Sequence, residues 1–195
     1  GAGFGRDRIY KPYCFEKKDT KIGIVNIADG VYANEKFNDG VGAADIESYR
    51  AVDQIRCLKN KGYYVILIVH AGVVFMPTPP PFLQKLYREF IDLGVDVVVG
   101  HHPHVVQGYE LYNKKPIFYS IGHFGIYRNY SRPQEKIGIL LNLRFLNNSL
   151  EQINVIPFEI SRDKLNLLDN EGMEHFKKEF HKLSILLNNS HVLEN

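Results

Sequence analysis

The chain has 195 residues, a length typical of one domain, and its 45% hydrophobic and 24% charged residues are ordinary for a globular protein. A net charge of +2, with the basic residues scattered, excludes a broad basic surface for nucleic acid, so no nucleic-acid partner is expected. Two cysteines, Cys14 and Cys57, exclude a disulfide scaffold, and we expect both thiols to be buried.

Strands and helices alternate in the first half of the chain. A β-branched run over 21–28 predicts a strand, and apolar spacing from Asp45 predicts a helix. The continuous apolar run 63–69 predicts a buried parallel strand, 82–91 a second helix, and 95–99 a short strand. This order predicts an α/β fold with a parallel sheet.

The pattern changes after residue 104. Segments 108–112 and 116–121 predict two strands around a turn, and 136–146 with 150–160 predict an antiparallel hairpin. A last helix is predicted near 171–187. One face of it carries an apolar stripe that we expect to face the core: Phe176, Phe180, Leu183 and Leu187.

Two of the predicted strands run directly into histidine. One ends at His70, and the other leads into His101, His102 and His104. Ligands of open parallel sheets bind beyond the carboxyl ends of the strands, so adjacent strands would bring these imidazoles together. An extended backbone would turn His102 and His104 to one side and His101 away. Imidazole suits Zn, Mn and Fe, and the group predicts a metal or phosphate site.

A more ordinary interpretation stays open, since a single histidine at a strand end is usually a hydrogen-bonded surface residue. It is the more common case for His70 taken alone. Three imidazoles without a carboxylate would also form an incomplete hydrolytic site. Asp92 and Asp96 flank the loop in sequence but are predicted at the wrong ends of their elements, so further ligands must come from elsewhere.

Several motifs resemble one family over about two thirds of the chain. They are Gly1-Ala2-Gly3 with Lys11-Pro12, Val69-His70-Ala71-Gly72, the run from Phe90 to Asp96, Gly100-His101-His102-Pro103-His104, Gly108-Tyr109-Glu110, and the run from Lys115 to Phe124. With these motifs, residues 1–125 resemble the carboxy-terminal half of the bacterial capsule-synthesis proteins, also called CapA or poly-γ-glutamate-synthesis proteins.

The resemblance implies a calcineurin-like metallophosphoesterase fold, with two β-sheets between helical layers. It implies one domain over 1–195, in which 126–195 add antiparallel strands and a helix. His70 would match a lone metal-binding histidine, and His102 and His104 a His-x-His pair with metal and catalytic roles. The implied cofactor is a divalent Mn, Fe or Zn ion.

The chain also departs from the family pattern. The family's Asp-x-His, Asn-Leu-Glu and Asn-Asn-His segments are not in this sequence, and we expect this amino-terminal half to lie upstream of Gly1. Val74 (or Val73) stands where the family often has Glu, and the segment from Ala28 to Val31 replaces an acidic one. Loss of carboxylates removes anionic ligands or general bases, so we expect weaker metal affinity and slower turnover than in a typical member.

Three further side chains are candidates for the same site. His123 stands where the family usually has Asn and would serve as a ligand or phosphate donor, or simply pack among neighbouring aromatic rings. Asp29 would face the same edge, although an Asp-Gly turn is the interpretation we favour. His101 is the third. An aromatic and basic patch, Tyr127, Arg128, Tyr130 and Arg132, would contact an anionic polymer or form a solvated loop.

The leading hypothesis is a protein of capsule or poly-γ-glutamate-type polymer biosynthesis with a metal-dependent hydrolase or transferase site. The alternatives are a non-catalytic scaffold module of the same assembly and a phosphoesterase for small substrates. The expected partner is an anionic polymer or phosphoester, and a homo-oligomer is left open. The resemblance implies a cell-envelope location, with membrane contact only through an upstream segment or partner proteins.

Overall fold

The computed structural model describes residues 1–30, 41–124, 133–162 and 164–189. These residues form helices α1 to α4 and strands β1 to β11. In chain order the elements are β1 (Ala2–Phe4), α1 (Arg6–Ile9), β2 (Tyr13–Lys17), β3 (Thr20–Ala28), β4 (Val41–Ala43), α2 (Tyr49–Asn60), β5 (Tyr64–His70), α3 (Pro81–Asp92), β6 (Val97–His101), β7 (Tyr109–Tyr112), β8 (Lys115–Phe118), a 3₁₀ turn (Pro133–Lys136), β9 (Ile137–Leu146), β10 (Ser149–Ile160), β11 (Leu165–Leu167) and α4 (Asn170–Asn189).

The main sheet has six strands in the order β2-β3-β5-β6-β8-β7. Its four central strands are parallel, while β2 and β7 are antiparallel to their neighbours. The register pairs Ala28 with His70 and His70 with His101, so the carboxyl ends of β3, β5 and β6 lie side by side. The predicted α/β class is confirmed, and a parallel centre with antiparallel edges makes the sheet mixed.

The two faces of the main sheet are buried by different layers. On one face, Val65 and Leu67 of β5 pack with residues of α2 and α3 such as Ile55 and Tyr87. On the other face, Ile66 contacts the separate three-stranded sheet β11-β10-β9, whose Leu141, Leu143 and Phe145 close over it. Alternating residues of β5 serve opposite faces, which is the period-2 rule of a strand. Two sheets therefore pack together, with helices outside the larger one.

Two predicted boundaries are shifted for identifiable reasons. Helix α2 begins at Tyr49 rather than Asp45, because Ser48 caps it with its hydroxyl oxygen and the Ile46 N–H is already donated to the Ala28 carbonyl. Strand β6 begins at Val97 rather than Val95. The preceding Asp96 accepts hydrogen bonds from Lys59 Nζ at 2.6 Å and from the Val65 N–H at 2.8 Å.

The expectation of buried thiols is wrong, since Cys14 and Cys57 are both exposed. Cys14 lies on β2, an edge strand whose five residues are all exposed, and Cys57 lies on the solvent side of α2. In the described part of the chain, no helix is both long and apolar enough to cross a membrane.

Helix α4 covers the opposite edge of the main sheet. The Tyr109 N–H donates to Ser184 Oγ at 3.1 Å, and the Leu111 N–H donates to Asn188 Oδ1 at 3.2 Å. Among the described strands none pairs with β7 on this side, and two side chains of the helix take the place of one. Of the predicted apolar stripe, Leu187 lies in the buried core, whereas Phe176, Phe180 and Leu183 remain partly exposed.

Gly100 provides a test of the strand pairing that positions the histidines. A Cβ atom there would lie 2.0 Å from the Tyr119 carbonyl oxygen, and backbone cannot yield as a flexible side chain can. We expect Gly100→Ala to lower the free energy of unfolding by more than about 3 kcal/mol in urea titrations. In the control Gly172→Ala in α4, the added Cβ would meet side-chain atoms of Asp169 at 3.1 Å and Leu168 at 3.5 Å, and a similar loss there would refute the explanation.

Candidate histidine site

The carboxyl ends of β5 and β6 bring two imidazoles into direct contact. His70 is the last residue of β5, and His102 follows the last residue of β6. The distance between His102 Nδ1 and His70 Nε2 is 3.1 Å, and the ring centroids are 4.9 Å apart. The predicted approach of rings from two separated stretches of chain is therefore present in the structure.

Two more imidazoles continue from this pair. The His104 ring centroid lies 5.4 Å from that of His102, and His123 stacks on His104 at 4.5 Å with 20° between the planes. His102 and His123 are buried, whereas His70 and His104 are half-buried. We call these four side chains, His70, His102, His104 and His123, the histidine row.

The prediction of an extended backbone at His102 and His104 is wrong. Their φ angles are +98° and +63°, in the left-handed region. The loop is held by the Phe75 N–H, which donates to the Pro103 carbonyl at 2.8 Å, and by the Ala71 N–H, which donates to the His101 carbonyl. The side chains meet because the loop curls.

His101 and Asp29 lie beside the row. His101 ends β6 and pairs in register with His70; burial lowers its pKa, and the neighbouring His70 lowers it further. The Asp29 N–H donates to the His70 carbonyl at 3.0 Å, and the charge of its carboxylate acts to raise the pKa of His102. The favoured interpretation of Asp29 as a turn residue alone therefore omits its electrostatic contact with the row.

Burial is the main influence on the charge of the pair. It lowers the pKa of His70, with a smaller contribution from His102, and it lowers the pKa of His102 against the opposing effect of Asp29. The ordinary value for both is 6.5, so both rings are neutral at pH 7. A neutral imidazole has one unprotonated ring nitrogen, the form that a metal ion requires.

These shifts predict a stability that falls toward acid. Between the ordinary pKa and the lower folded value, the unfolded chain binds more protons than the folded one, so stability rises with pH. We expect the free energy of unfolding, measured in urea with a chelator present, to decrease from pH 7.5 to 5.5. His101→Gln should flatten the slope, and a slope as steep as that of the unsubstituted protein would contradict the assignment.

The donor set fits a divalent cation only in part. Two nitrogens bound about 2.1 Å from one ion at ordinary coordination angles lie about 3 to 3.4 Å apart, which the His70–His102 distance of 3.1 Å matches. Among the described residues, however, no three side chains of His, Cys, Asp or Glu converge as ligands. The described chain offers two ligands of a metal site and not a complete set.

The other acidic and loop residues considered from the sequence are not part of the histidine row. Asp92 accepts hydrogen bonds from Tyr112 and Asn113, and Asp96 pairs with Lys59 and Lys115, so both carboxylates serve structural contacts. Val73 and Val74 are exposed in the loop after β5. The Val31 position and the aromatic and basic patch of Tyr127, Arg128, Tyr130 and Arg132 lie outside the described residues.

Phe75 is a neighbour of the row that sequence analysis missed. Its ring centroid lies 6.1 Å from that of His104, and its φ of +61° turns it back toward the loop after β6. A positive φ in a bulky residue is set by its surroundings, so no sequence pattern would have predicted this contact.

In open parallel α/β sheets, ligands bind beyond the carboxyl ends of the strands, and the histidines of this chain gather at that edge. The chain belongs to the bacterial capsule synthesis protein family PGA_cap, whose model matches residues 1–127. This confirms the resemblance inferred from residues 1–125.

Two curated relatives carry related names. The chain is 28% identical over 164 residues to the PGA biosynthesis protein CapA of Bacillus subtilis, covering 82% of this chain and 42% of that protein. It is 28% identical over 151 residues to the capsule biosynthesis protein CapA of Bacillus anthracis, covering 70% and 36%. The chain thus spans less than half the length of these relatives.

A Staphylococcus aureus protein assigned as a 5'-nucleotidase, in complex with α-ketoglutarate, is among the solved structures that match this chain. The TM-score is 0.47 at 12% identity, and the similarity covers 88% of this chain and 33% of that chain.

Proposed function

We propose that this chain contributes part of a metal-dependent, phosphoesterase-like site that acts in the biosynthesis of a capsule or poly-γ-glutamate-type polymer. The observation that carries the chemical proposal is the contact of His70 with His102 where β5 and β6 end. The biological role is supported by family membership and by the two CapA relatives named for PGA and capsule biosynthesis.

His70 and His102 would hold a divalent Mn, Fe or Zn ion, with His104 next to them. When bound, such an ion supplies Lewis-acid polarisation of a phosphoryl or acyl centre. His104 and His123 lie beyond the pair and would orient an anionic oxygen of a phosphoester or polymer through their ring N–H groups. We assign catalytic roles to His102 and His104, and supporting roles to His101, His123 and Asp29.

The second candidate function is a non-catalytic binding module of a surface-polymer assembly. It is favoured by the lack of a third converging ligand among the described side chains and by exposed Val73 and Val74 where the family often has Glu. A site with two protein ligands binds metal weakly. We therefore expect this protein to have a lower metal affinity and a slower turnover than a typical family member.

The proposed partner is an anionic polymer or phosphoester, and the proposed location is the cell envelope. The exposed edge strand β2, with Tyr13 and Phe15 at its surface, offers a place for self-association through strand pairing. Sedimentation of the full-length protein would show whether copies associate.

The experiment that separates the two functions uses the full-length protein, stripped of metal and reloaded with Mn²⁺, Fe²⁺ or Zn²⁺. We expect bound metal and slow hydrolysis of bis-p-nitrophenyl phosphate, both lost in His70→Ala and retained in the control His181→Ala. If the protein binds poly-γ-glutamate but takes up no metal and cleaves nothing, it is a scaffold and the catalytic proposal fails.

A further inference from the structure

An apolar cavity of about 590 Å³ lies between helix α4 and the loop that follows β6. This volume is in the range of small-molecule pockets, which are about 300 to 1,000 Å³. Its lining includes Phe176, Phe180 and Leu183 of α4 and Val105 and Val106 of the loop after β6. The sequence predicted that the α4 residues would pack in the core, yet they line an open space.

The cavity adjoins the histidine row without being part of it. Val105 directly follows His104, and Phe75 both lines the cavity and lies 6.1 Å from the His104 ring. An occupant would therefore bury the partly exposed aromatic surface of α4 and reach toward the row. Burial of apolar surface is the main source of its affinity.

The charges of the lining favour one sign of ligand. The described lining residues include Glu135, Glu159 and Glu179, and no lysine or arginine is among them. Glu135 is buried and has a partner, so it carries no part of the argument. Glu159 is exposed and Glu179 is partly exposed, and no ion pair or hydrogen bond joins either side chain to a described residue. Two uncompensated carboxylates attract a cation and repel an anion.

We propose that this cavity binds an amphipathic amine, with an apolar or aromatic body against Phe176, Phe180 and Val106 and an ammonium group near Glu159 and Glu179. The carboxylates make it unsuited to the anionic polymer, so it is a second site beside the row. The proposal depends on the cavity and its charges alone and stands whether or not the histidines bind metal.

The test is a titration of the full-length protein with three probes that share one apolar body: 4-phenylbutylamine, 4-phenylbutanol and 4-phenylbutyrate. Calorimetry should give the order amine, alcohol, acid, from tightest to weakest. In two-dimensional NMR, the amine should shift signals of Phe176, Phe180 and Val106. Equal affinity for the amine and the acid, or no binding of any probe, would overturn the proposal.

Charge variants locate the ammonium group. Glu159→Gln and Glu179→Gln should each weaken amine binding by about three- to tenfold and leave alcohol binding unchanged, because only the charge is removed. Glu171→Gln, on the same helix but outside the lining, is the matched control. Leu183→Phe should weaken all three probes by reducing the cavity, with circular dichroism confirming the fold. If neither Glu159→Gln nor Glu179→Gln weakens amine binding, the proposal is wrong.

Discussion

Glu110→Ala should lower the free energy of unfolding by about 3 to 5 kcal/mol. The Glu110 side chain is fully buried and accepts a hydrogen bond from Arg88 Nε at 2.9 Å and another from the Tyr119 hydroxyl at 2.6 Å. Removing it leaves the Arg88 charge buried without its partner and Tyr119 without an acceptor. The loss should be seen as a lower urea midpoint with an unchanged slope.

Two further variants show whether the loss of stability comes from burial of the ion pair or from charge pairing alone. Glu174→Ala removes an exposed carboxylate that contacts Lys177 at 2.7 Å, and it should cost less than about 1 kcal/mol. The double variant Arg88→Met with Glu110→Leu should recover much of the stability lost in Glu110→Ala, because no unpaired charge remains. A double variant less stable than Glu110→Ala would contradict this account of the pair.

His102→Ala should weaken divalent-metal binding by at least about 100-fold, since loss of groups that merely support ligands already costs 10- to 100-fold. His102 contacts His70 at 3.1 Å and adjoins His104, so it is one of the two inner rings of the row. Hydrolysis should be lost with the metal. Competition with a chromophoric chelator measures the affinity, and thermal unfolding monitors the fold.

His104→Ala provides the comparison within the row. Because His104 lies beyond the His70–His102 pair, it should retain most metal affinity and lose turnover. His181→Ala, on the exposed face of α4, should change neither quantity. If His102→Ala keeps full metal affinity, the pair is a structural hydrogen bond rather than part of a metal site.

Sequence reasoning was most successful where local pattern and long-range packing agree. The apolar run 63–69 became β5 (Tyr64–His70) because both faces of that strand are covered, and the hairpin around Asn147 formed with nearly the predicted ends. The position of His70 at a strand end could therefore be predicted from the sequence, and with it one half of the histidine contact.

The features that sequence reasoning missed are set by tertiary contacts. Strands β1 and β4 have three residues each and exist because Ala2 pairs with Ala43, some forty residues away. The left-handed backbone at His102 and His104 depends on the loop that holds Pro103. The apolar spacing of α4 likewise does not tell a residue that fills a core from one, such as Phe180, that lines a cavity.

Anomalous X-ray diffraction from crystals of the full-length protein grown with Mn²⁺ or Zn²⁺ is the most direct test of the central claim. The proposed site predicts a peak bound by His70 Nε2 and His102 Nδ1. A map without such a peak, in which the two imidazoles keep their direct 3.1 Å contact, would contradict it.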